Sequence, residues 1–115
     1  MRSDVSKIEE LLKTENYSAV VSTVSCFAPR EPDQVIQIQA LCDKYNCTQI
    51  INNAYGTQSK YVMNSLNQLK KESNFVVVSS LDKNFCVPVG ASVVYAKQAR
   101  LVDAIGQMYP GRASM

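Results

Sequence analysis

Segments suited to β-strands alternate with segments of helical periodicity along the whole chain, and this alternation limits the possible folds more than any other feature. Residues 18–24 are small and β-branched, 48–51 form a short apolar run, and Phe75-Val76-Val77-Val78 is the clearest strand. A fourth strand is expected over 87–96, bent by Pro88 and Gly90. Between them lie helical patterns. Residues 4–15 space Val5, Ile8, Leu11 and Leu12 along one face, with Ser6 and Glu9 as a possible capping box. Residues 33–45 align Val35, Ile38, Leu41 and Cys42 behind Asp33 as a plausible cap, and 58–71 align Val62, Leu66 and Leu69. Residues 98–108 read as a last helix, broken by Tyr109-Pro110-Gly111-Arg112.

The predicted order is α-β-α-β-α-β-β-α. Strands alternating with helices indicate an α/β fold built on a mostly parallel sheet with flanking helices. In such sheets ligands bind beyond the carboxyl ends of the strands. Three loops leave strand ends here: 25–33, pinned by Pro29 and Pro32; 52–56, rich in turn residues; and 79–84. All three are expected on one edge, and that convergence is the main hint of a site.

Composition removes several function classes. The 115 residues allow one small domain, with 46% hydrophobic and 19% charged residues as in ordinary globular proteins. A formal net charge of +2 gives no footprint for nucleic acid or an anionic membrane. Cys26, Cys42, Cys47 and Cys86 form no C-x-x-C pair and the chain has no histidine, so zinc fingers, disulfide frameworks and Ser-His or Cys-His catalytic pairs are not expected. Free thiols in a reducing compartment are the expectation. No apolar run approaches the ~20 residues that span a bilayer, and the first residues do not resemble a signal peptide, so a soluble, cytoplasmic protein is expected.

A few residues could carry chemistry. Lys83 follows a hydrophobic strand between Asp82 and Asn84, where partial desolvation would free an amine for Schiff-base formation. An exposed loop lysine fits the same pattern. Asn52, with small Ala54 two positions on, suits a flat ring against the backbone; a turn favouring Asn and Gly explains it equally. Arg112 offers a guanidinium fork to a phosphate, or is a solvated arginine. Ser25 and Arg30 could reach a phosphate from their proline-pinned loop, or simply build that loop.

Four segments in this order and spacing change the weighting: Ser25-Cys26-Phe27-Ala28-Pro29-Arg30; Asn52-Asn53-Ala54-Tyr55-Gly56; Ser80-Leu81-Asp82-Lys83-Asn84-Phe85 with Val87-Pro88-Val89-Gly90; and Met108-Tyr109-Pro110-Gly111-Arg112-Ala113-Ser114. Together they resemble the O-phosphoseryl-tRNA:selenocysteinyl-tRNA synthase family from about Val20 to Ser114. The resemblance implies part of the large domain of an aspartate-aminotransferase-like pyridoxal-phosphate enzyme over 1–115, with no second domain. It implies Lys83 as the Schiff-base lysine, Asn52 and Ala54 beside the cofactor ring, Ser25 near the cofactor, and Arg112 on the substrate phosphate. No metal is implied.

The implied reaction is β-elimination and replacement, turning O-phosphoseryl-tRNA(Sec) into selenocysteinyl-tRNA(Sec) with selenophosphate as donor. Homo-oligomers, tetramers in the family, are implied as well. Family members are several times longer, and Ala91 stands where a second glycine usually follows Gly90. The chain is therefore expected to be a piece of the parent enzyme, inactive alone. Two further readings remain: another pyridoxal-phosphate enzyme such as a desulfurase, or a truncated, non-catalytic interaction module.

Overall fold

A computed structural model describes residues 2–25, 30–88 and 90–108. The elements run α1 (Val5–Thr14), β1 (Ala19–Thr23), α2 (Val35–Lys44), β2 (Thr48–Asn52), α3 (Lys60–Asn67), β3 (Phe75–Ser80), β4 (Ser92–Tyr95) and α4 (Ala99–Met108). The expected order holds throughout. One sheet carries the strands in the order β1-β2-β3-β4. β1 pairs with β2 and β2 with β3 in parallel, whereas β4 runs antiparallel to β3.

Registered neighbours share a face, so Val20 and Gln49 lie with Phe75, and Ser22 and Ile51 lie with Val77. Helices α1, α2 and α3 cover this face. Val35 of α2 and Val62 and Leu66 of α3 pack with Val24, Ile51, Phe75 and Val77 into one core cluster. Leu12 of α1 packs with Ile38, Cys42 and Cys47 into a second, which Ile8 and Val20 border. The opposite face keeps apolar side chains uncovered: Val21 is 69% exposed and Ile50 36%. Helix α4 has no buried residue, and Met108 at its end is 84% exposed.

Several local expectations are corrected. Asp4, not a Ser6–Glu9 box, caps α1: its Oδ1 accepts the Lys7 N–H at 3.0 Å, because the helix already begins at Val5. Asp33 does not cap α2; that position is Gln34, which makes no capping bond. Asp33 instead accepts the Thr23 N–H at 2.8 Å, the Ser3 hydroxyl and the Arg30 guanidinium, tying the chain after β1 back to the strand. Helix α3 stops at Asn67, short of residue 71, yet Leu69 beyond it is 3% exposed and still fills the core. β3 extends through Ser79 and Ser80, which pair with Val93 and Ser92 of β4. β4 begins only at Ser92, because Pro88 offers no ladder N–H and Gly90 sits at φ 89°. Among the described residues no helix is long and apolar enough to cross a membrane.

Candidate functional site

Three parallel strands set the geometry of the site. Thr23 is level with Asn52, and Asn52 with Val78, so β1, β2 and β3 end at a common edge. The loops leaving that edge are bonded to each other. Ser25 Oγ accepts the Tyr55 N–H at 2.9 Å, joining the first loop to the second. The Asn84 side chain donates to the Tyr55 carbonyl at 3.4 Å, and the Gln58 side chain to the Asn84 carbonyl at 3.3 Å, joining the second to the third. Gly56 makes this closeness possible: a Cβ there would sit 2.3 Å from Asn53 Oδ1 and 2.9 Å from Val62 Cγ1.

The uncovered sheet face and this edge enclose a groove of about 470 Å³. Its floor is Val21, Ile50 and Val78, and Asn52, Ala54, Ser80, Lys83 and Ser92 complete its wall. Three residues singled out from the sequence, Asn52, Ala54 and Lys83, therefore share one concavity. Ser25 stands outside it, bound to the Tyr55 backbone. Arg112 lies outside the described residues. Arg30 forms an ion pair with Asp33 at 2.5 Å.

Each side chain in the groove is fixed locally. Asn52, the last residue of β2, accepts the Ala54 N–H on its Oδ1 at 3.1 Å, an Asx-type turn that leaves its amide NH2 as the donor it can offer a ligand. Lys83 Nζ lies 5.6 Å from the centroid of the Tyr55 ring and donates to Ser80 Oγ at 3.2 Å. Asp82 Oδ1 accepts the Ser80 hydroxyl and stands 3.9 Å from Lys83 Nζ, while its Oδ2 accepts the Gly90 N–H at 3.2 Å. The Ser80 hydroxyl, the Gly90 N–H and the Lys83 ammonium hold the Asp82 carboxyl below the usual carboxylate range.

Sequence reasoning did not assign Tyr55, Ser80 or Asp82 to the site. All three lie within quoted motifs, but nothing in their spacing reveals that the second loop brings its ring beneath a lysine of the third.

The sequence profile of the family described as O-phosphoseryl-tRNA(Sec) selenium transferase matches residues 1–115. A relative of that name from Dictyostelium discoideum is 41% identical over 118 residues, spanning 99% of this chain and 25% of its own length. One from Methanopyrus kandleri is 40% identical over 113 residues, covering 96% and 26%. The crystal structure of an archaeal O-phosphoseryl-tRNA(Sec) selenium transferase superposes with a TM-score of 0.80 at 35% identity, covering 96% of this chain and 25% of that one. A PLP-bound C–S lyase from Staphylococcus hominis superposes with a TM-score of 0.66 at 12% identity, a likeness of fold alone, covering 95% and 29%. The chain thus spans about a quarter of the length of these relatives.

Proposed function

The chain belongs to the O-phosphoseryl-tRNA(Sec) selenium transferase family, and from that footing we propose that residues 1–115 are part of the cofactor-holding large domain of an enzyme forming selenocysteinyl-tRNA(Sec). Its substrates would be phosphoserine-bearing tRNA(Sec) and selenophosphate, its cofactor pyridoxal 5'-phosphate, and its compartment the cytoplasm. The observation that carries this reading is the opening of Lys83 into the same groove as Asn52 and Ala54.

The residues present fit the cofactor. A flat ring needs a flat floor, and Val21, Ile50 and Val78 supply one on the open sheet face. Small Ala54 leaves room at the edge. The Asn52 NH2 can donate to an unprotonated ring nitrogen, a neutral partner where an acid would hold the nitrogen protonated. Bound through Lys83, pyridoxal phosphate would act as the sink for electrons released at the substrate Cα.

Lys83 then has two tasks in this reading. Its amine would hold the cofactor and, when free and neutral, would take the Cα proton as a base. Phosphate would depart from the β-carbon and selenium from selenophosphate would bond there, the donor's P–Se bond breaking as its phosphoryl group passes to water. Asn52 moderates the ring, which is tolerable because phosphate is a good leaving group. Ser25 keeps the Tyr55 backbone, and so the ring beneath Lys83, in position. Arg112 would bind the substrate phosphate. Helix α4, with no buried residue and Met108 84% exposed, supports burial against a second copy, in keeping with a homo-oligomeric enzyme.

Titration of the chain with pyridoxal phosphate, borohydride reduction and peptide mapping test the reading. A single reduced adduct on Lys83, absent from Lys83→Ala, is expected. Labelling scattered over the lysines would overturn it.

A further inference from the structure

Lys83, Ser80 and Asp82 form a hydrogen-bond chain with one direction. The Lys83 ammonium donates to Ser80 Oγ at 3.2 Å, and the Ser80 hydroxyl spends its only proton on Asp82 Oδ1. Asp82 cannot swing away, because its other oxygen is held by the Gly90 N–H at 3.2 Å. The stems of this loop are equally fixed. Ser80 is the last residue of β3, paired opposite Ser92 of β4, and the Leu81 N–H donates to the Ala91 carbonyl at 2.9 Å. A carboxylate thus lies anchored 3.9 Å from the amine.

We infer that Ser80 and Asp82 are positioning residues that receive Lys83 whenever it is released from the cofactor, holding its amine as an ammonium beside the groove until it gives one proton to solvent and can serve as the base at Cα. This rests on the proposed role of Lys83 as the cofactor-bonding lysine. Release is a balanced swap. An incoming ammonium gives up two protons and takes over the double bond to the cofactor carbon, while the Lys83 nitrogen loses that double bond, gains two protons and leaves as an ammonium. That product carries a full charge and three donors. Ser80 accepts one donor, the Asp82 carboxylate supplies the opposite charge, and the Tyr55 ring lies 5.6 Å from the nitrogen. Stabilising released Lys83 favours displacement, so the pair acts on the position of that equilibrium.

The test equilibrates the cofactor-loaded chain with increasing methylamine at fixed pH, then traps what remains on Lys83 with borohydride. Methylamine carries no phosphate or carboxylate, so it reads the exchange at Lys83 alone. Asp82→Asn removes the charge, and Ser80→Ala removes the middle link while leaving Asp82 on Gly90. Each is expected to raise the methylamine needed for half-displacement by about two- to fivefold, the range set by a partly exposed ion pair. The double variant should match the single ones, since the two residues work in series. A merely structural role would lower the melting temperature and leave this midpoint in place. Wild-type labelling at Lys83 with unchanged midpoints in both variants would overturn the relay alone. Failure of the wild type to label at Lys83 would bring down the cofactor reading and this inference together.

Discussion

Gly56 sits where the second loop passes closest to the core, and replacing it with alanine is a sharp test of the packing. The new Cβ would lie 2.3 Å from Asn53 Oδ1 and 2.9 Å from Val62 Cγ1. Neither neighbour yields easily. Asn53 is fully buried, and its Nδ2 donates to Ser79 Oγ at 3.3 Å. Val62 is a core residue of α3, stiff at χ1. Relieving the overlap costs about 1–3 kcal/mol as overpacking, and turning Asn53 aside loses a further ~1 kcal/mol with its hydrogen bond. A total of about 2–4 kcal/mol lowers the melting temperature by about 10–20 °C in a domain of this size.

Gly106 is the matched control. It lies inside α4 with nothing within 4 Å of a built Cβ, so Gly106→Ala should stabilise by about 0.5–1 kcal/mol through helix propensity alone. Thermal melts followed by circular dichroism compare the two. A Gly56→Ala melt within ~2 °C of wild type would refute the close approach, and with it the juxtaposition of Tyr55 and Lys83 that depends on it.

Other outcomes follow from the same coordinates. Burial tends to raise the Asp33 carboxyl, but Ser3, the Thr23 N–H and Arg30 outweigh it and the value is lowered. Its stabilising share is therefore complete above the unfolded value near 3.8 and lost as pH falls through the lower folded value, so urea midpoints of wild type and Asp33→Asn should converge below about pH 4. A gap that persists into acid would contradict this. Cys42 and Cys47 are buried, and burial together with Cys47 pushes the Cys42 thiol up, whereas Cys86 is exposed. Iodoacetamide on the native chain should alkylate Cys86 and spare Cys42 and Cys47 until denaturant is added, as peptide mapping would reveal. Asn52→Asp, placing an acid where a neutral donor stands, should alter the absorption of bound pyridoxal phosphate; an unchanged spectrum would count against the placing of Asn52 at the ring.

The alternation of apolar runs and helical periodicity was enough to read four strands and four helices in their observed order, because those signals are local. What escaped is non-local. Nothing in Ser79-Ser80 looks like strand; they become strand because β4 folds back to pair with them. Asp33 had the residue type and place of a helix cap, but the Thr23 N–H and the Arg30 guanidinium compete for it and win. Lys83, Asn52 and Ala54 were named from motif and strand-end position. Their common groove, and the roles of Tyr55, Ser80 and Asp82, depend on which loops lie side by side, and the register of three strands decides that.

Strand order in the sheet is the same as strand order in the chain. Every strand after the first lies beside its immediate predecessor, and α1 and α2, then α2 and α3, are neighbours in turn. Growth of this structure is therefore additive. Among the described residues, as the polypeptide leaves a ribosome each new unit finds its partner among residues already made. Lys83 arrives after β1, β2 and β3, when the loops that meet it already have their strands in place. The loop that carries Lys83 is thus synthesised onto strands already able to receive it.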